Sequence, residues 1–113
     1  MMVFEGIDTY STIKLNTHEI LKTKNAFVEY GISVKTHLKI GQNLLEVEIN
    51  PTKTFDDIGQ SRDRMPFAYA HTRKAGYQYS WDWAPFMNTL GIWKDVYLEF
   101  FDQVKIDYVW IQL

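Results

Sequence analysis

Apolar and polar residues alternate with a period of two through much of the chain. Ser11, Ile13 and Leu15 alternate with Thr12, Lys14 and Asn16. Val28, Tyr30, Ile32 and Val34 alternate with Glu29, Gly31 and Ser33. Leu45, Val47 and Ile49 alternate with Glu46 and Glu48, and Val96, Leu98 and Phe100 alternate with Tyr97, Glu99 and Phe101. Successive side chains of a strand point to opposite faces, so each run predicts a half-buried strand. Asn16-Thr17 separates two short runs and predicts a hairpin turn. Asn tolerates the positive φ that such turns require, and Thr tolerates it less well than Gly. Gly41-Gln42-Asn43 predicts a second turn, and Pro51 ends the strand before it because proline cannot donate to the ladder. No segment carries a helical period of three turns. The pattern is that of an all-β chain.

Two stretches depart from it. Thr52 to Met65 is polar, charged and aperiodic, so residues 51–72 predict a long surface loop with at most a short helical turn. Asp102-Gln103 marks a boundary at the other end. Beyond it Val104, Ile106, Tyr108 and Trp110 begin another alternating run. That run is either the last strand of this domain or the first strand of a following one.

The length of 113 residues suits one domain and not two. The composition is 46% hydrophobic and 16% aromatic, which suits both a β core and a surface on which sugar rings stack. Twelve basic and fourteen acidic residues leave a net charge of −2. Such a balance argues against nucleic acid or an anionic membrane as a partner. Without cysteine there is neither a disulfide nor a thiolate metal site. No apolar run approaches the roughly 20 residues of a membrane helix. The segment Met1-Met2-Val3-Phe4-Glu5 lacks the pattern of a signal peptide, and the compartment is not legible. His18, His37 and His71 lie far apart, with no second ligand at metal-binding spacing, and no metal or cofactor is expected. Neither a Ser-His-Asp arrangement nor a glycine-rich phosphate loop is visible.

The run Phe4-Glu5-Gly6-Ile7-Asp8-Thr9-Tyr10, with Ile13-Lys14-Leu15-Asn16, resembles the sugar-binding domain of family 2 glycoside hydrolases. Asn25-Ala26-Phe27 and Gly41-Gln42-Asn43-Leu44-Leu45-Glu46-Val47 continue the resemblance. The most specific match is the segment from Arg73 to Pro85, which contains Trp81-Asp82-Trp83. With Gly91-Ile92-Trp93-Lys94-Asp95-Val96, it is similar to the β-mannosidase branch. The resemblance implies a jelly-roll, galactose-binding-like β-sandwich over residues 1–102, with 103–113 leading into an immunoglobulin-like domain. In the full enzyme a (β/α)8 barrel carries the catalytic glutamates and hydrolyses terminal β-mannose residues. The resemblance also implies missing N-terminal strands, and hence open sheet edges and self-association of the fragment. Two departures from the family stand out: Thr17 and Ala84 occupy positions where the family usually has Gly.

Retaining glycosidases use two carboxylates about 5–5.5 Å apart. Asp56-Asp57 is an adjacent doublet in a predicted loop and does not suit that geometry, so no catalytic residue is assigned to this chain. For the segment ending in Trp81-Asp82-Trp83 two readings stand. If it is extended, Tyr77, Tyr79, Trp81 and Trp83 share one face, as in a core strand with a polar outer face formed by Gln78, Ser80 and Asp82. The resemblance implies instead that Trp81, Asp82 and Trp83 bind substrate. Asp82 would accept hydrogen bonds from mannose hydroxyls, and Trp81 would form an apolar wall. Arg73 either lies exposed with Lys74 or braces this segment through an ion pair. Trp93 packs in the core or against the next domain. The alternative function is a stand-alone carbohydrate-binding or interaction module on the same β-sandwich.

Overall fold

A computed structural model of the chain describes residues 1–52, 72–80, 83 and 85–113. Most of the expected 51–72 loop, Asp56-Asp57, His71, Trp81, Asp82 and Ala84 lie outside the described residues. The described part is all-β: β1 (Met2–Phe4), β2 (Ile7–Asp8), β3 (Tyr10–Leu15), β4 (His18–Lys24), β5 (Tyr30–Ile32), β6 (Leu45–Asn50), β7 (Gly91–Ile92) and β8 (Val96–Leu98). The one described helical element is a 3-10 turn over Gly76–Tyr79.

The strands form two antiparallel three-stranded sheets, ordered β5-β1-β8 and β4-β3-β6, and a small β2-β7 pair. The expected alternation holds in β3, where Ser11, Ile13 and Leu15 are buried and Tyr10, Thr12 and Lys14 are half-buried. The apolar faces of the central strands meet in one core. Met2 and Phe4 from β1 and Ile13 and Leu15 from β3 pack with Ile7 and Val34, and Val47, Ile49 and Val96 flank them. Strand β1 is buried at all three positions, so it carries no alternation to detect.

The Asn16–Thr17 turn joins β3 to β4 as expected, with φ of 50° and 74°. The Asn16 amide does more than permit the turn. Its Nδ2 donates to His37 O and to Asn43 Oδ1, each at 2.8 Å, and its Oδ1 accepts from Leu44 N at 3.0 Å. The hairpin is thereby tied to the Gly41-Gln42-Asn43 turn, which Asn43 closes on Lys39 and Gly41. The expected runs from Val28 and through Phe100 are shorter in the structure. Pairing is confined to Tyr30–Ile32 and Val96–Leu98, and Val28 and Phe100 are exposed.

Candidate functional site

Between β6 and β7 the described residues form an excursion of two legs, 72–80 and 85–90, with Trp83 of the Trp81-Asp82-Trp83 motif at its tip. Its inbound leg lies beside the chain after β4: Asn25 bridges Arg73, and Ala26 N donates to Arg73 O at 2.8 Å. The Gly76–Tyr79 turn follows, then Ser80 at φ 79° and ψ 160°. The outbound leg runs from Pro85 to β7 and is tied to the end of β6 by Asn88 Nδ2 donating to Thr52 Oγ1 at 2.7 Å.

The two legs meet on one carboxylate. Asp8, at the end of β2, accepts from Lys74 Nζ at 2.5 Å and from Gln78 Nε2 at 3.3 Å, and Thr9 Oγ1 donates to its other oxygen. Lys74 also donates to the Thr89 carbonyl on the outbound leg. Gln78 Oε1 accepts from Thr89 N at 3.0 Å and Thr89 Oγ1 at 3.1 Å, and Gln78 O accepts from Met87 N at 3.2 Å. Asp8, Lys74 and Gln78 are all buried. Removing one partner of such an ion pair strands a charge in the interior, which costs about 3–5 kcal/mol. Beside this knot lies a cavity of about 230 Å³ walled in part by Phe27, Tyr77 and Trp93. The Trp93 indole donates to Ala26 O at 3.1 Å, and its backbone N donates to Gly6 O at 3.1 Å.

These contacts correct the extended reading of residues 77–80. The chain coils at Gly76–Tyr79, so Tyr77 and Tyr79 do not share a strand face. Tyr77 is exposed, Tyr79 sets its ring edge-on to Phe86 at 6.2 Å, and Gln78 turns inward. The reason is polar: Gln78 meets donors and an acceptor from two elements, and extended geometry would forfeit them. Arg73 lies on the surface and makes an isolated backbone bridge to Asn25, just past the end of β4. Its neighbour Lys74 turns inward and pairs with Asp8, 66 residues away. In the sequence Asp8 stands out only within the run Phe4 to Tyr10, because an ion pair over that separation leaves no local signal. Trp83 is exposed, whereas Trp81 and Asp82 fall outside the described residues.

His18 and His37, distant in sequence, bring their rings to 5.2 Å. Among the described residues no three potential ligands gather to hold a metal ion. Among the described residues two titrating groups depart clearly from their ordinary values, and neither lines the cavity. Tyr97 is raised by desolvation and by Glu29, Glu5 and Glu99 nearby. Lys105 is raised chiefly by its hydrogen bond to Glu99.

Comparison with known proteins places this architecture. The chain is 29% identical over 122 residues to β-mannosidase B of Aspergillus flavus, a match covering 100% of the chain and 14% of that protein. It is 32% identical over 124 residues to β-mannosidase of Capra hircus, covering 95% of the chain and 14% of that protein. The crystal structure of β-D-mannosidase from Dictyoglomus thermophilum superposes with a TM-score of 0.72 at 38% identity, covering 84% of this chain and 12% of that one. The chain thus spans about one seventh of the curated relatives it matches. A family model described as "Glycosyl hydrolase 2 galactose-binding domain-like" matches residues 1–94, and the chain belongs to that family.

Proposed function

We propose that this chain is the accessory sugar-binding domain of a β-mannosidase-type glycoside hydrolase. Its Trp81-Asp82-Trp83 segment helps to form the subsite for a terminal β-mannose residue. The observation that carries the reading is the construction around the tip. Trp83 is an exposed aromatic, 83% accessible, on an excursion whose base is locked by buried polar groups. A core strand would bury that ring; a recognition loop presents it. A large flat indole suits the apolar face of a sugar, and an ionised carboxylate suits its several hydroxyl donors. Arg73, on the surface of the inbound leg, stands with the tip as a candidate substrate contact. Hydrolysis itself belongs, in this reading, to glutamates of a following (β/α)8 barrel. Residues 103–113 lead toward an immunoglobulin-like domain. In support, they make no strand pairing among the described residues, and Val104, Ile106, Tyr108 and Trp110 are all exposed.

The test is Asp82→Asn and Asp82→Ala in the full-length protein, assayed on an aryl β-mannoside. Asparagine keeps the shape and one acceptor but removes the charge. It should lose roughly 1.5–3 kcal/mol of transition-state binding, on the order of tenfold to 150-fold in kcat/KM. Alanine should lose at least as much, and neither variant should lower the melting temperature greatly. Unchanged activity, or activity that falls only in step with unfolding, would make Asp82 structural.

A further inference from the structure

We propose that the buried Asp8–Lys74 pair, with Gln78 and Thr89, is a positioning device that clamps the legs 72–80 and 85–90 and so fixes where Trp83, the tip between them, is presented. The inference rests on the proposed role of that tip in sugar binding; the clamp itself is argued from geometry.

Three observations carry it. First, the network crosses between the legs at every member. Lys74 and Gln78 of the inbound leg both reach Asp8 on β2 and Thr89 on the outbound leg. A pair that served only the sheet would have no reason to engage Thr89. Second, an ion pair is a poor way to gain net stability here. The Lys74 side chain is fully buried, and desolvating both charges offsets most of their attraction. Two apolar residues could fill the same space as favourably. They could not supply directional bonds from one point to two separate segments, and direction is what presentation of a tip needs. Third, Ser80, the last described residue before Trp81, stands at φ 79° and ψ 160°, a region that only glycine visits readily. Such backbone persists only where its surroundings over-determine it. Only four residues separate Ser80 from Pro85, so fixing both legs limits where Trp83, which stands between them, can go. Asp8, Lys74, Gln78 and Thr89 touch no substrate in this scheme and act through the tip.

The deciding variant is Asp8→Asn/Lys74→Met in the full-length protein. Lys74→Met alone strands a buried carboxylate and confuses position with stability. The double variant removes both charges and keeps the volumes close. Biosynthetic 5-fluorotryptophan gives a readout independent of activity, with the Trp83 and Trp93 fluorine signals assigned by their loss in Trp83→Phe and Trp93→Phe. In the double variant we expect melting close to wild type, a Trp83 signal that shifts or splits, and a Trp93 signal that stays in place. We also expect kcat/KM on an aryl β-mannoside to fall about tenfold to a hundredfold, the effect of a small misplacement at a recognition site. A Trp83 signal that does not move in the folded double variant overturns the proposal. So does loss of the Trp83 and Trp93 signals together with cooperative melting, because the pair is then a staple of the whole domain. A shifted Trp83 signal with unchanged kcat/KM upholds the clamp and overturns the sugar-binding role of the tip.

Discussion

At the scale of single residues, the arrangement turns on close approaches that only particular side chains allow. Gly6 is one. A Cβ built on it would lie 2.7 Å from the Trp93 indole, at both Cε2 and Nε1. That indole is fixed by its bond to Ala26 O, so it cannot step aside without breaking a bond next to the cavity. Gly6→Ala should therefore destabilise the domain by about 1–3 kcal/mol, the usual cost of overpacking a filled site. Thermal melting followed by circular dichroism measures it, and an unshifted transition would show that the indole yields freely. The sequence offered two places for Trp93, core or next domain, and could not show its seat on Gly6. Asp8 and Lys74 were equally silent. Each is an ordinary charged residue in its own neighbourhood, and their value arises only when the fold joins positions 66 apart.

At the scale of elements, legibility followed alternation. Strand β3 was readable because one of its faces is buried and the other is only half covered. Strands β1 and β2 were not, since runs of three and two wholly buried residues have no period. The 3-10 turn at Gly76–Tyr79 is not legible, because its tyrosines alternate in sequence as in the extended alternative while Gln78 answers to the Asp8 knot. The β3–β4 hairpin was readable through Asn16, and it also carries a correctable flaw. Thr17 sits at φ 74°, where a β-branched side chain crowds its own backbone. Thr17→Gly should stabilise the domain by about 1 kcal/mol, visible as a higher denaturant midpoint at unchanged slope. No gain would mean that contacts of the threonine side chain offset the strain.

At the scale of the whole molecule, the described surface is unusually apolar at its C-terminal end. Phe100, Phe101, Val104, Ile106 and Trp110 are all more than half exposed. Strands β4 and β6 also show no partner on their outer sides among the described residues. Exposed apolar surface beside open sheet edges invites pairing between chains. The isolated 113-residue polypeptide should thus sediment faster as its concentration rises; a single monomeric species at every concentration would contradict this. The same polypeptide should not turn over an aryl β-mannoside, since in our reading the catalytic carboxylates lie on another domain. Turnover that survives re-purification would refute that division of labour.

The placement of β1 between β5 and β8 has a kinetic consequence. Its register joins Met2 to Leu98 and Phe4 to Val96, so one side of this central strand waits for the last described strand. The β3–β4 hairpin, joining Ile13 to Leu21, needs no such wait. Closing a long loop costs entropy before the distant contact repays it, so folding should begin at the hairpin and finish at the β1–β8 seam. In a refolding experiment Leu21→Ala should slow folding, whereas Val96→Ala should mainly hasten unfolding. Met2, Val3 and Phe4 are made well before Val96, Tyr97 and Leu98, so this short apolar strand stays open on one side until the seam closes and is exposed to mispairing in the meantime.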